Sequence, residues 1–198
     1  MIDPLRYYNL ETYLFEDIHR SFHGGVAIGA FELFSIIIWK ANRAKTKLAR
    51  RLLQVHGDLE TAARKLFASL FRASSNEERL RLLIQDWGFY LPMASSILAV
   101  LWPDEFTIYD VRVCDELGDF RWVGNLRKPS AVWAGYQQYL TAVRLAVPGD
   151  LRLRDKDRYL WGRSAMRQLE QDLRRGFGPN PARALQRTVV PLGSRTVA

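Results

Sequence analysis

The residues able to do chemistry gather in one stretch, LLIQDWGFYLPMASSILAVLWPDEFTIYDVRV, residues 82–113. Gly88, Pro92 and Ala94 take positions 1, 5 and 7 of a seven-residue turn that opens a helix. Such a turn can aim successive backbone N–H groups, at a helix N-terminus, toward a phosphate. Asp110 follows Pro92 by eighteen residues, which is room for a helix of about ten residues and a return loop, so its carboxylate can come back beside the turn. A lone acid among Ile108, Tyr109, Val111 and Val113 reads as a helix cap or as a functional carboxylate. Turn and acid together read as a nucleic-acid-binding hairpin placed next to a catalytic acid.

The hairpin needs a helix on each side. NEERLRLLIQDW runs into Gly88, with Ser75 and Glu78 forming a capping box at its start. Pro92 suits the first turn of the next helix, where no amide hydrogen is needed, and Pro103-Asp104 ends that helix after Trp102. Upstream, Leu59, Ala63, Leu66, Phe67 and Leu70 recur at helical spacing behind an Asp58 cap. Before them, VAIGAFELFSIIIWKANRAKTKLARRLLQVHG reads as two helices joined near residues 40–44. The first is expected to be buried nearly all round, through Phe31, Phe34 and Ile38; the second turns Leu48, Leu52 and Val55 inward and a basic face outward. Lys40, Arg43, Lys45, Lys47, Arg50 and Arg51 cluster at that junction, either as a solvated face or as side chains presented into a cleft. Residues 1–23 read as a short amphipathic helix.

Beyond the hairpin, FTIYDVRV has strand propensity but no second strand to pair with, so it is expected to return extended, with a helix beginning around Asp110 or Val111. Residues 118–130 read as a loop. Trp133, Tyr136, Tyr139, Leu140 and Val143 mark a helix face that Pro148-Gly149 stops, and a last helix places Tyr159, Leu160 and Trp161 inward. The expected architecture is all-α: one helical domain over 1–178, with the hairpin at 82–102, and a basic, mobile tail over 179–198.

Composition narrows the partners. The chain has 198 residues, 48% hydrophobic and 25% charged, enough to bury a real core. Its 29 Lys+Arg against 21 Asp+Glu give +8, with a pI near 9.9, which favours a polyanion. The longest apolar run, Val26 to Trp39, is too short to span a membrane and carries Glu32. The first twenty residues lack a basic-then-apolar signal pattern, so no membrane partner and a cytoplasmic location are expected. Cys114 is alone, which excludes an internal disulfide and an all-cysteine zinc or iron-sulfur site. His19 and His23 are four apart, as metal ligands can be, but no third ligand is near; no metal and no cofactor are expected.

Over residues 31–113, and more loosely 24–165, the chain resembles the helix-hairpin-helix DNA glycosylase superfamily, which includes endonuclease III, the adenine mismatch glycosylase and the 8-oxoguanine glycosylases. FELFSIIIWKANRAKTKLARRLL resembles the family's early helix pair, FYLPMASSILAVL its hairpin and following helix, and FTIYDVRV its aspartate segment. The resemblance implies two small helical lobes around a DNA-binding cleft, with Asp110 on the family's catalytic aspartate. Asn42 falls near the Gln or Asn that fills the gap left by a flipped base. The second turn position usually holds glycine and here is Tyr90. Members that also cut the strand carry a lysine at the fifth hairpin position, where this chain has Pro92, and the family's iron-sulfur cysteines are absent.

The resemblance thus implies a monofunctional glycosylase, expected to act as a monomer on double-stranded DNA. Gly88, Tyr90, Pro92 and Met93 would hold the backbone, the first, second and fourth of them through main-chain amides. Lys40, Asn42 and Arg43 would face the opened stack, and Trp39, Tyr109, Trp133 and Trp161 would wall the base pocket. The short chain would leave its pocket open, with room for an oxidised purine or a modified base of foreign, phage-type DNA as the base released. The alternative is a helix-hairpin-helix module that binds DNA without chemistry.

Overall fold

The computed structural model describes residues 3–147 and 149–178; the tail expected at 179–198 and the stop at Pro148 lie outside the described residues. Within them every regular element is helical and no strand forms. The first segment is α1 (Pro4–Tyr8); beyond a break at Asn9, α2 (Leu10–Thr12), a π-helical insert (Tyr13–Ile18) and α3 (His19–His23) run on as one rod. The expected helix pair follows as α4 (Ala30–Ala41) and α5 (Lys45–His56), joined by a 3-10 turn at Asn42–Ala44. After α6 (Leu59–Arg72) and α7 (Asn76–Arg81), a π turn at Leu82–Asp86 leads through Gly88 into α8 (Leu91–Leu101). The chain ends in α9 (Val111–Leu117), a 3-10 turn (Arg121–Asn125), α10 (Pro129–Ala146) and α11 (Leu153–Arg174).

Helix starts follow their local chemistry. Asp58 accepts from Thr61 N at 2.7 Å and Ser75 from Glu78 N at 3.1 Å, while Glu78 reaches back to the amide of Ser74 rather than that of Ser75. α8 carries no charge, and a helix that is apolar all round belongs inside. It is buried from Met93 through Leu101, with α4, α7, α3 and the π insert packed around it. His19 and His23 both donate to Leu101 O, at 3.0 and 2.7 Å, and so satisfy a carbonyl at the end of α8.

Three expectations about faces are corrected. α4 buries Leu33, Ile36 and Ile37 but leaves Phe31 half exposed, and Val55 on α5 is exposed. The inward face of α11 is Leu153, Asp157 and Leu160, spaced i, i+4, i+7, which turns Tyr159 outward and leaves Trp161 half exposed. Residues 118–130 are not a plain loop: the 3-10 turn buries Val123 and is pinned by the Tyr109 hydroxyl.

The extended segment Phe106–Tyr109 is buried without a partner strand, so its backbone must be satisfied some other way. Hydroxyl groups do it. Tyr136 accepts from Thr107 N (3.0 Å) and donates to Thr107 O (2.6 Å), Tyr139 donates to Ile108 O (2.8 Å), and Ser95 of α8 accepts from Tyr109 N (2.9 Å). Tyr136→Phe strands both polar groups of Thr107 and is expected to cost about 1–3 kcal/mol in urea unfolding. An unchanged midpoint would contradict this account of the segment.

Candidate active site around Asp110

Asp110 ends the extended segment and opens α9, with φ −135° and ψ 140°. Its Oδ1 accepts from Arg112 N at 3.0 Å, which is the cap, and its Oδ2 accepts from Lys40 Nζ at 2.7 Å. Cap and cavity-facing carboxylate are thus one residue with its two oxygens divided. Lys40 reaches it because position 40 continues the buried α4 face of Leu33, Ile36 and Ile37, so the chain turns this lysine inward, away from the outer basic cluster. Burial pushes the Asp110 carboxyl up, but the Lys40 ammonium, by charge and by hydrogen bond, and the Arg112 amide outweigh it and hold the group below its usual range.

Both groups line a cavity of about 420 Å³. Trp39, Ile108 and Trp161 supply its apolar walls. Extended backbone alternates sides, so Ile108 and Asp110 face the cavity while Tyr109 points the opposite way, its hydroxyl donating to Phe120 O at 2.8 Å and accepting from Gly124 N at 3.0 Å. Tyr109 is therefore not a pocket wall. Nor is Trp133, whose ring packs 6.3 Å from that of Tyr136 on α10 and lies outside the cavity lining. Trp39 and Trp161 do line it, Trp161 beneath the Arg112 guanidinium at 5.5 Å.

The remaining cavity groups come from the two ends of the chain. Arg154 lies over the rings of Phe15 (4.6 Å) and Trp39 (5.4 Å), and binds Glu11 Oε1 at 2.6 Å and Asp157 Oδ2. Arg158 reaches the same Glu11 oxygen at 3.3 Å. Burial pushes the Asp157 carboxyl up to about 6, against the pull of Arg154 and Lys40, and the nearby charge of Asp110 adds to the rise. The native carboxyl holds its proton more tightly than an unfolded one, near 3.9. From this group alone, stability should fall as pH rises from about 4 to 6, by up to about 3 kcal/mol, and level off above. Urea midpoints across that range should show the slope in the wild type and lose it in Asp157→Asn.

No residue of the hairpin turn, 88–94, lines this cavity. Gly88 adopts φ +62°, a left-handed conformation that costs glycine nothing. Arg51 from α5 clamps the turn, donating to Gly88 O (2.5 Å) and Trp87 O (2.8 Å). Among the described residues the N–H groups of Gly88, Tyr90 and Leu91 meet no acceptor of the chain. Met93 is a correction: its amide is already used on Tyr90 O at 3.0 Å in the first turn of α8, so it is not free for a phosphate. Pro92 and the Tyr90 side chain are exposed at the turn.

No family model, curated protein or solved structure matches the chain. The site must be read from its own chemistry. Asn42 and Arg43 are exposed at the 3-10 turn, two and three residues beyond Lys40, and do not line the cavity. Among the described residues Arg43, Lys45, Lys47 and Arg50 are exposed and pair with no carboxylate, unlike Arg154, Arg163 and Arg167 on α11. Sequence reasoning missed Glu11, Arg154, Asp157 and Arg158. One signal was there: Asp157 occupies the helix face of Leu153 and Leu160, where an acid has no ordinary reason to be. No helix of the described residues is long and apolar enough to cross a membrane.

Proposed function

We propose that the protein is a monofunctional DNA glycosylase of helix-hairpin-helix type, acting on double-stranded DNA as a monomer. The observation that carries the reading is Asp110: a carboxylate held ionised by Lys40 at the wall of a 420 Å³ cavity, between two tryptophans and next to α8. That volume lies within the range of small-ligand pockets and has room for a flipped base. Extrusion costs a few kcal/mol, least for a damaged or mispaired base. The free amides of the hairpin turn receive a backbone phosphate, the unpaired cations of α5 and its preceding turn follow the duplex, and Asn42 hydrogen-bonds the orphaned partner. As the N-glycosidic bond opens, positive charge grows on the sugar. Asp110 stabilises it and orients the attacking water.

The base is an oxidised purine or a modified base of foreign DNA, and Pro92 offers no amine at the hairpin to cut the strand. The test is incubation with a panel of damaged duplexes and modified phage DNAs, with mass spectrometry of what is released. Free base over an intact abasic strand supports the reading. Immediate nicking would overturn its monofunctional part and implicate Lys40, the amine beside Asp110. One observation favours the non-catalytic DNA-binding module instead: both oxygens of Asp110 are already engaged in the free protein. A module of that kind binds duplex with steep salt dependence but releases nothing.

A further inference from the structure

We infer that Asp157 is the acid of this cavity: its carboxyl protonates the departing base while Asp110 serves the sugar, so the site takes a neutral base rather than an already cationic one. The inference rests on the glycosylase reading and extends it to leaving group and substrate class.

Three carboxyl groups line one cavity; Glu11 is paired with Arg154 and Arg158, and the other two lie in different surroundings. Asp110 is a quarter exposed beside an ammonium, whereas Asp157 is buried on the inner face of α11. When environments drive two carboxyls apart in this way, the pair divides into a base-like and an acid-like member. The groups around Asp157 come from every neighbouring element: Arg154 and Arg158 on α11, Glu11 on α2, Lys40 on α4, Asp110 before α9, and the hydroxyls of Tyr136 and Tyr139 on α10. The two tyrosines are committed to the backbone of residues 107 and 108. Only Oδ2 of Asp157 is held, by Arg154; among the described residues no donor reaches Oδ1. The Arg154 Nε–H is likewise buried without an acceptor.

Charge sets the substrate class. Three cations (Lys40, Arg154, Arg158) face three acids (Glu11, Asp110, Asp157), so the lining is neutral with all six ionised and carries one net positive charge once Asp157 is protonated. A cationic, alkylated base gains nothing there. A neutral base, which leaves poorly without a proton, gains a donor. With its carboxyl pushed up to about 6, Asp157 still holds a proton in a useful fraction of molecules near neutrality. In the step itself the C1′–N bond breaks with its electron pair going to the base, and the Asp157 proton passes to a base nitrogen or oxygen. Water adds its oxygen to C1′ and gives its proton to Asp110. Products are a neutral base and an abasic hemiacetal, and solvent returns the proton from Asp110 to Asp157.

The experiment uses the full chain under single-turnover conditions, from pH 5 to 8, on whichever neutral-base duplex of the panel releases fastest and on a duplex carrying 7-methylguanine, a cation. Wild-type release of the neutral base is expected to fall about tenfold per pH unit above 6. Asp157→Asn should lower it by about 100- to 10,000-fold and abolish that limb, with duplex affinity kept and any 7-methylguanine release unaltered. An equal loss on both bases would reduce Asp157 to a positioning residue and overturn the acid role, as would an unchanged rate and profile. Should the variant not fold, the wild-type profile decides: a rate flat from pH 5 to 8 overturns the proposal. No release by wild type from any duplex would instead bring down the glycosylase reading itself.

Discussion

Asp110→Asn is expected to stop base release, by at least about 100- to 1,000-fold, while duplex binding survives. Removing one preorganised electrostatic partner of a developing charge costs roughly that much in rate. An amide keeps the size of the carboxylate and can keep the Arg112 hydrogen bond, since asparagine caps helices about as well as aspartate. What it loses is the negative charge facing the cavity. Affinity for DNA should hold or rise, because the site sheds a charge that repels phosphate. Lys40, only 14% exposed, would then lack its counter-ion, and a stability loss of about 1–3 kcal/mol should appear in thermal unfolding. Single-turnover base release beside a binding isotherm reads the two effects separately. Unimpaired release would end the enzymatic role of this residue, and an absence of release in the wild type would return the chain to the non-catalytic alternative.

Lys40→Met is expected to move the acidic limb of the rate profile to higher pH. Burial already raises the Asp110 carboxyl, and Lys40 is the main force against it; with methionine the burial effect stands nearly unopposed. The active form is the carboxylate, so the variant must be taken to higher pH to regain rate. Stability carries the same signature with a defined sign. A carboxyl depressed in the native state contributes stability above the unfolded value, near 3.9, and loses it as pH falls through the native value. The variant should accordingly be weaker than wild type by about 1–3 kcal/mol at pH 7, discounted for partial exposure from the full cost of breaking a buried pair, and the gap should close toward pH 3. A gap of constant size at both pH values, or an unmoved acidic limb, would show that the ion pair does not set the state of Asp110.

Much of the molecule could be read without coordinates because it depends on neighbours within a few residues. Asp58 and Ser75 cap helices, the α4–α5 joint falls at residues 42–44, Pro92 sits in the first turn of α8, and a helix begins directly after Asp110. Each is a local matter of hydrogen bonds or of backbone sterics. The absence of a partner strand for FTIYDVRV was also legible, though not the remedy, since Ser95, Tyr136 and Tyr139 reach it from two helices.

The side chains around Asp110 were a different matter. The glycosylase resemblance implied Trp39, Tyr109, Trp133 and Trp161 alike as pocket wall, and packing alone divided them: alternation along an extended segment sends Tyr109 away from the cavity, and α10 keeps Trp133 against Tyr136. Lys40 was expected to face the opened stack with Asn42 and Arg43, but the face of α4 turns it toward an acid seventy residues away. Glu11 and Arg154 meet across 143 residues of chain. The amino-acid order by itself thus determined where most helices begin and end and that Asp110 opens one of them, because those depend on short-range hydrogen bonding and periodicity. Tertiary structure decided which charges surround that carboxylate, because only packing brings distant helix faces together and withdraws them from water, where their charges would scarcely affect one another.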